Sequence, residues 1–353
     1  MSLFSDVTDF ANLHRAYLNA RALKRYRTSI LRFGCHLEEN LARLRWELMT
    51  KRYVHGSYRT FAVTDSKRRV IKAAPFRDRV VHHAVCNVIE PILDRTFICD
   101  SYACRKGKGT HAAVKRLICY IHTLNRGRQH RHLPRIYGLK CDVSRFFESI
   151  DGPLLLNIVR KKIHDDDLLW LLRTIIESNV RGIPIGNLTS QLFANAYLNE
   201  LDHFVKRVLK ERYYLRYMDD FLILGTDKEH LRAVREEVRA FLNDHLKLSL
   251  HPKKAGIAPV DKGVDFLGYV IHGKLLHLRK STVKRFLKKK RRYEAMVRRG
   301  RMTEQSLEDA CTAWRGYARF ADSYRLMTKL GLNEKKPHPS PLNEPVAHYD
   351  GKK

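Results

Sequence analysis

Two adjacent carboxylates, Asp219 and Asp220, stand between two runs of apolar and aromatic residues at 213–215 and 221–224. Because aromatic and branched residues favour strands and Asp does not, this pattern predicts a β-hairpin with the acids at its turn. Side chains alternate between the two faces of a strand, so both acids can reach one site only at a tight turn. Such a pair would repel itself unless a divalent cation bound it, and the alternative is an ordinary polar hairpin loop.

A third carboxylate, Asp142, follows the short apolar segment 136–141 and precedes Phe146 and Phe147. An acid at the end of a strand is a second candidate ligand for the same cation. The alternative is that Asp142 caps the next helix, where Asp is common. The acidic cluster 164–167 lies between two predicted helices and is expected to be a solvated cap.

The composition favours a polyanionic partner. The 353 residues include 68 Lys and Arg against 37 Asp and Glu, a formal net charge of +31. Cations that neutralise phosphates release condensed counterions, so nucleic acid is the first candidate and a membrane surface the competitor. No apolar run approaches the ~20 residues of a spanning helix, and no signal peptide begins the chain. We therefore expect a soluble cytoplasmic protein without membrane contacts. The seven cysteines include no C-x-x-C pair, so neither a zinc site nor a disulfide framework is predicted.

The elements of the first third are predicted from periodicity and turn residues. Residues 9–50 have apolar positions at helical spacing among many cations and predict two basic helices. Segments 58–63 and 70–73 predict a β-hairpin with a cationic tip that could close over a triphosphate. A helix is expected from Asp78 to Leu93, stopping near Pro91.

The remaining elements include two loops that could contact phosphate or nucleotide. The glycine-rich basic loop 101–111 precedes a helix from about residue 112, whose N-terminus could hold phosphate. Loop 182–191 leads into a long amphipathic helix capped by Asn187 or Thr189. The other predicted elements are two helices within 154–178, a helix over 228–246, strands at 246–250, 264–271 and 275–278, and basic helices over 281–330.

The order of these motifs resembles that of the reverse transcriptases. The basic hairpin, the strand with Asp142, the Gly loop and its helix, the Asp219-Asp220 hairpin, Lys254 and the strand with Phe266-Leu267-Gly268 occur in the family's sequence over about residues 58–330. The resemblance implies an α+β right-hand polymerase. Its expected parts are fingers with basic N-terminal helices at 1–75, palm at 76–149, a fingers insertion at 150–185, palm at 186–273, a helical thumb at 274–332 and a disordered tail at 333–353.

The resemblance also implies the catalytic roles. Two Mg²⁺ ions, with Mn²⁺ as the alternative, would be bound by Asp142, Asp219, Asp220 and the carbonyl of Val143. Lys254 would donate a proton to the leaving pyrophosphate, and Lys253 is its neighbouring alternative.

Further residues are implied to contact the dNTP. Phe147 would pack under the sugar and exclude a 2′-hydroxyl, and an ordinary core Phe is the alternative. Arg69, with Arg68 or Lys67 as the alternative, would bind the β and γ phosphates. Ile185 and Gly186 would lie near the incoming nucleotide.

One departure from the intron and retron enzymes narrows the resemblance. Those enzymes read Gln-Gly, three residues, then Ser-Pro, whereas this chain has Ile185 in place of that Gln and Gln191 in place of that Pro. This form resembles the enzymes of diversity-generating retroelements, and no maturase or endonuclease segment is expected after the thumb. The resemblance implies a prokaryotic or phage enzyme that copies a template RNA through an RNA/DNA heteroduplex, with errors at template adenines, beside a small accessory variability protein. Ile185 and Gln191 are the candidate fidelity positions.

Two other readings stay open at this point. One is a different prokaryotic reverse transcriptase, from a retron, a defence system or an intron, against which the loop 185–191 argues. The other is an inactive RNA-binding relative, against which the joint presence of Asp142, Asp219, Asp220 and Lys254 argues.

Overall fold

The computed structural model describes residues 2–64, 68–125, 134–273 and 275–332. The helices are α1 Leu3–Thr8, α2 Phe10–Arg21, α3 Thr28–Cys35, α4 Leu37–Met49, α5 Phe76–Asp94, α6 Thr110–Asn125, α7 Phe146–Ser149, α8 Gly152–Arg160, α9 Asp166–Glu177, α10 Leu188–His203, α11 Lys228–Leu246, α12 Lys280–Arg298, α13 Glu304–Ala318 and α14 Tyr324–Lys329. The strands are β1 Arg59–Thr64, β2 Arg68–Ala73, β3 Tyr137–Asp142, β4 Tyr214–Tyr217, β5 Asp220–Gly225, β6 Gly256–Pro259, β7 Val264–Phe266, β8 Tyr269–His272 and β9 Leu275–Leu278. Helices with antiparallel sheets make the class α+β, as predicted. The tail predicted at 333–353 lies outside the described residues.

Residues 9–50 form three helices, α2 to α4, where two were predicted, and α1 precedes them. Asp9 separates α1 from α2 because its backbone is extended and its carboxylate accepts the N–H of Asn12, which caps α2. Leu23, with φ +60°, lies in the turn that ends α2. Helix α2 packs along α5, and the buried Asn12 amide also donates to the carbonyl of Ala84, 3.1 Å away.

Helix α5 runs from Phe76 to Asp94, which confirms the helix predicted from Asp78 to Leu93, and it continues through Pro91. The proline lies in the last turn and its ring is exposed, so the helix loses only one N–H bond there. Ile89 and Leu93 are buried on either side of it and hold the last turn against the core.

The central sheet has the strand order β4-β5-β3-β6, and all its pairs are antiparallel. Strand β3 lies in the interior of the sheet and pairs with β5 from Tyr137 opposite Gly225 to Asp142 opposite Asp220. Strand β6, on its other side, was not predicted. The expected strand 246–250 is wrong: Lys247 adopts φ +52°, and Leu250 makes only a single bridge, with Val143.

Helix α10 was expected to be amphipathic but is buried nearly all round. Its inward-facing polar residues include Asn195, Asn199 and Asp202, each at most 6% exposed. The helix packs against α5, α8 and α11, which explains the lack of a solvent face. It therefore serves as the central support beneath the sheet.

The C-terminal part combines a three-stranded sheet, β7-β8-β9, with helices α12 to α14. The single strand predicted at 264–271 is two strands, because Leu267 and Gly268 form a turn with φ +50° and +91°. A Cβ at Gly268 would lie 2.3 Å from the hydroxyl of Tyr317, so glycine is required where α13 approaches this turn.

Candidate active site

The predicted carboxylates meet at one end of the central sheet. Asp142 ends β3 directly opposite Asp220, which begins β5, and Asp219 lies in the turn between β4 and β5. Met218 adopts φ +57° in that turn. This left-handed residue makes the turn tight, so that Asp219 and Asp220 lie at the same end of the sheet. The N–H of Val143 donates to the carbonyl of Asp219 across 3.3 Å and ties the two motifs together. The structure thus brings together Asp142, Val143, Asp219 and Asp220, as the sequence predicted.

Two of these acids are held in an environment that disfavours their charge. Burial, reinforced by Asp142 and opposed by Lys254 and Arg69, raises the pKa of Asp219. Burial raises the pKa of Asp220 to about 6, with Asp142 and Asp219 adding to the effect and Lys140 opposing it. The Oδ1 atom of Asp220 is buried and has no hydrogen-bond partner in the described part of the chain. An added cation would relieve both the repulsion and this unpaired oxygen.

Two lysines contact two different carboxylates of the site. The Nζ atom of Lys254 lies 2.5 Å from Oδ2 of Asp142, whereas the neighbouring Lys253 is exposed. Lys254 is brought there because the loop after α11 runs past the end of β3, where the N–H of His251 donates to the Asp142 carbonyl across 2.7 Å. Lys140 Nζ lies 3.6 Å from Oδ2 of Asp220 and also donates to the carbonyl of Asp265.

The donor set fits a hard divalent cation. Mg²⁺ and Mn²⁺ prefer oxygen ligands, and the site offers three carboxylates, one of them with the unpaired buried oxygen of Asp220. Within the described ranges, no group of three or more His, Cys, Asp or Glu side chains is arranged so that it could hold a metal ion. Asp142 is paired with Lys254 and Asp220 with Lys140, so two of the three carboxylates face lysines in this arrangement.

A buried arginine holds the catalytic turn. Arg216 of β4 is fully buried and donates to both carboxylate oxygens of Asp202 on α10, at 2.7 and 2.6 Å. Its Nη1 atom also donates to the carbonyl of Met218 across 3.0 Å. Since that carbonyl precedes Asp219, the Arg216–Asp202 pair fixes the hairpin turn to the central helix.

The residues predicted to contact the nucleotide differ in how exposed they are. Arg69 on β2 is exposed and close enough to lower the pKa of Asp219, against the larger raising effect of burial. Of Arg68 only the backbone is described, and Lys67 lies outside the described residues. Phe147 on α7 is half-buried, whereas its neighbour Phe146 is core.

The loop predicted to influence fidelity is hydrogen-bonded to the β1–β2 hairpin. The carbonyl of Ile185 accepts the N–H of Lys72 on β2 across 3.0 Å, and Ile185 itself is half-buried. Gly186 has φ +132°, and a Cβ there would lie 2.8 Å from the Lys72 carbonyl, so only glycine fits. Gln191 is exposed in the first turn of α10. Asn187 occupies the N-cap position of α10, as predicted, but its side chain makes no cap hydrogen bond. Its amide donates instead to the hydroxyl of Tyr58, and the Thr189 hydroxyl contacts His82.

Comparison with known protein families decides the identity of this site. The family model described as reverse transcriptase (RNA-dependent DNA polymerase) matches residues 62–271, which include all the carboxylates and Lys254. The chain belongs to the reverse transcriptase family.

Relatives of this reverse transcriptase include bacterial and intron-encoded proteins. Protein YkfC of Escherichia coli K12 is 28% identical over 272 residues, which cover 64% of this chain and 69% of that protein. The group II intron-encoded protein LtrA of Lactococcus lactis is 23% identical over 306 residues, which cover 64% of this chain and 47% of that protein. The chain thus spans about half the length of the intron-encoded relative.

Solved structures with the same fold include telomerases. Apo telomerase of Candida tropicalis, truncated from its C-terminal domain, matches with a TM-score of 0.51 at 12% identity, covering 69% of this chain and 60% of that one. Telomerase of Candida albicans, in complex with a TWJ fragment of telomeric RNA, matches with a TM-score of 0.51 and covers 70% of this chain and 52% of that one. The fold of this reverse transcriptase is therefore the predicted right hand. None of its described helices is long and apolar enough to cross a bilayer.

Sequence reasoning missed two residues of this reverse transcriptase site. Lys140 stands two positions before Asp142 on β3, and strand alternation puts both on one face, so the pattern contained that signal. Arg216 is a single cation in a strand of apolar and aromatic residues, which signals a buried ion pair, but no sequence pattern identifies Asp202 as its partner.

Proposed function

We propose that the protein copies a template RNA into complementary DNA and does so with frequent errors at template adenines, as in a diversity-generating retroelement. The convergence of Asp142, Asp219 and Asp220 at one sheet end supports the polymerase activity. The presence of Ile185 where intron and retron enzymes have Gln supports the error-prone type.

The proposed chemistry is phosphoryl transfer from a dNTP to the primer 3′-oxygen. Mg²⁺ or Mn²⁺, bound by Asp142, Asp219, Asp220 and the Val143 carbonyl, would supply electrostatic activation of the primer hydroxyl and of the triphosphate. The primer oxygen forms its bond to the α-phosphorus while the bond between that phosphorus and the bridging oxygen of the β-phosphate breaks, and the proton of the primer hydroxyl passes to solvent. Lys254 Nζ, 2.5 Å from Asp142, donates its proton to the leaving pyrophosphate.

The proposed dNTP contacts come from the fingers and from α7. Arg69, with Arg68 as the alternative, binds the β and γ phosphates with charge-assisted hydrogen bonds. The half-buried ring of Phe147 lies under the sugar and leaves no room for a 2′-hydroxyl, which selects dNTP over rNTP. Template RNA and the RNA/DNA heteroduplex are the expected polyanions for a chain with a formal net charge of +31.

Ile185 is the proposed source of infidelity. A Gln at this position could hydrogen-bond near the nascent base pair, and a mismatched pair would lose that bond. An Ile offers only contact area, so a mispair loses little relative to a correct pair. Discrimination is therefore weaker, and we propose that template adenines are affected most.

The test is an Ile185→Gln enzyme, with Ile185→Val as the matched control that keeps an apolar branched side chain. Both variants copy a defined RNA, and the cDNA is sequenced. We expect Ile185→Gln to lower misincorporation at template adenines by about 3- to 10-fold, whereas Ile185→Val stays near the parent enzyme. Unchanged adenine errors in Ile185→Gln would remove Ile185 from the account.

We also propose that a small accessory variability protein assists synthesis on the natural template. The experiment compares cDNA synthesis on the RNA transcribed beside the gene, with and without each small protein encoded next to it. Stimulation on that RNA but not on an unrelated RNA supports the partner. Equal yields under all conditions contradict it.

An intron-type reverse transcriptase is the second candidate, favoured by the likeness to the group II intron-encoded protein LtrA. The error spectrum separates the two. An intron-type enzyme is expected to make few errors at all four template bases, whereas the proposed type makes its excess errors at adenine.

A further inference from the structure

The loop that carries Ile185 is held by hydrogen bonds and close packing to residues other than the predicted catalytic carboxylates. The Lys72 N–H binds the Ile185 carbonyl, and the Ile183 N–H donates to the carbonyl of Phe147 across 2.8 Å. A Cβ at Gly182 would lie 2.2 Å from that Phe147 carbonyl, so the loop sits directly on the α7 backbone. The loop thus connects the fingers hairpin with the residue proposed to exclude ribose.

A chain of hydrogen bonds secures the C-terminal end of this loop. Asn187, 3% exposed, donates from Nδ2 to the Tyr58 hydroxyl across 2.8 Å. The Tyr58 oxygen lies 2.8 Å from the Ser178 hydroxyl, which donates to the carbonyl of Ile175 at 2.6 Å. Because the Ser178 proton is used in that bond, the Tyr58 hydroxyl donates to Ser178. Burial raises the pKa of Tyr58, which keeps this hydroxyl protonated.

A second link secures the other end of the loop. Lys72 Nζ lies 2.5 Å from Oδ1 of Asn179, and the Asn179 amide donates to the carbonyls of Arg181 and Gly182. The same lysine therefore binds Ile185 through its backbone and the start of the loop through its side chain. The two links hold both ends of a short segment that has Ile185 between them.

The Tyr58 hydroxyl has few substitutes. The Oδ1 atom of Asn187 is buried and has no hydrogen-bond partner within the described residues, so the side chain of Asn187 is held there by its hydrogen bond to Tyr58. Removal of the hydroxyl would leave a buried amide without its partner, and the loop would shift to satisfy it. The aromatic ring of Tyr58, which packs 4.7 Å from that of His55, would stay in place in a Phe variant.

We propose that Tyr58 and Asn179 are positioning residues that set the place of Ile185 beside the nascent base pair, and so determine which errors the enzyme makes. The inference rests on the proposed function for the role of Ile185. Neither residue touches the reacting atoms. They act through the loop, and a looser loop would widen the pocket for every template base rather than for adenine alone.

The experiment uses Tyr58→Phe and, as an independent second variant, Asn179→Ala. The matched control is Tyr17→Phe, which removes a tyrosine hydroxyl bound to Arg21 on the N-terminal helix α2. We expect the KM for the correct dNTP to rise by about 3- to 10-fold with kcat within about 2-fold, since the defect is one of placement. Errors at template C, G and U should rise, so that the preference for errors at adenine falls.

A double variant separates positioning from a general structural effect. If Tyr58 acts through Ile185, the fold-changes in misincorporation frequency caused by Tyr58→Phe and by Ile185→Gln should not multiply in the double variant. Independent, multiplying effects would contradict a shared route. If both Tyr58→Phe and Asn179→Ala match Tyr17→Phe in KM and error spectrum, the positioning inference is overturned.

The outcomes also separate this inference from the proposed function. If Ile185→Gln leaves adenine errors unchanged while Tyr58→Phe still raises the dNTP KM, the fidelity role of Ile185 fails and the positioning of the loop stands. If Ile185→Gln lowers adenine errors and Tyr58→Phe changes neither the dNTP KM nor the error spectrum, the fidelity role of Ile185 stands and the positioning role of Tyr58 fails.

Discussion

At the scale of single residues, the site combines partly buried carboxylates with two lysines that contact them. Lys254 pairs with Asp142 and Lys140 with Asp220, whose pKa burial raises to about 6. Burial alone would favour neutral acids, and the lysines oppose that shift. A bound cation would compete with the lysines for the same oxygens, and Lys254 would then be free to reach the pyrophosphate. We regard this exchange as part of the proposed mechanism.

The half-buried Phe147 gives a sharp test of sugar selection. Phe147→Val should raise the kcat/KM for rNTP relative to dNTP by about 10-fold or more, because the smaller side chain makes room for a 2′-hydroxyl. Phe147→Tyr keeps the ring and should retain the selection. Single-nucleotide extension with matched dNTP and rNTP measures both. Equal selectivity of Phe147→Val and the parent enzyme would make Phe147 an ordinary core residue.

At the scale of elements, the hairpins and most helices were predictable because their signals are local. Runs of apolar and aromatic residues on both sides of Asp219 and Asp220 predicted β4 and β5, and helical spacing predicted α11 with its observed bounds. The failures are non-local. Strand β6 exists because β3 offers a free edge to Gly256–Pro259, and 246–250 fails as a strand because Lys247 turns the chain away. Such pairings depend on tertiary contacts that no short window of sequence contains.

The candidate site was predicted to a similar extent and for a similar reason. The carboxylates and Lys254 occur in motifs, so their meeting could be expected from sequence. The residues that hold the site in place could not be predicted in this way. Arg216 pairs with Asp202 on a different element, and Tyr58 contacts Asn187, which is 129 positions away in the sequence. Side chains that are buried and far apart in sequence are identified only when the helices and sheet are packed.

The contact between α5 and α10 predicts a pH effect on stability. His82 is 1% exposed, contacts His55 and Thr189, and lies near His83, and burial together with these histidines lowers its pKa from 6.5 to about 3. The unfolded chain binds a proton at this position below pH 6.5 and the folded chain does not. Stability from neutral His82 is therefore present above pH 6.5 and falls as the pH drops from 6.5 toward 3, by at most about 1.4 kcal/mol per pH unit.

Urea unfolding at pH 7, 6, 5 and 4 measures this effect. His82→Gln can keep a hydrogen bond to Thr189 but does not titrate, so its midpoint should fall less steeply with acid than that of the parent enzyme. The exposed His245 on α11 offers the control variant His245→Gln, which should follow the parent. Parallel curves for His82→Gln and the parent would show that His82 protonates in the folded state.

At the scale of the whole molecule, positive charge is dense in the helix that follows the C-terminal sheet. Helix α12 has nine Lys and Arg among its 19 residues and follows directly on the β7-β8-β9 sheet. Cations in this number bind phosphate without reading sequence, so we propose that they contribute affinity for an RNA/DNA heteroduplex rather than specificity. RNA binding and catalysis are therefore expected to reside in separable groups of residues.

That separation leads to the most direct measurement of the central claim, that the three carboxylates form the polymerase centre of an RNA-binding chain. Asp219→Ala and the isosteric Asp219→Asn are compared with Asp244→Ala, which removes an exposed carboxylate of α11. Primer extension on RNA with Mg²⁺ measures activity, and filter binding of the same RNA measures affinity. We expect both Asp219 variants to lose cDNA synthesis by about 10³-fold or more while their RNA Kd stays within about 2-fold of the Asp244→Ala value. Persistent cDNA synthesis, or a collapse of RNA binding together with activity, would contradict the account.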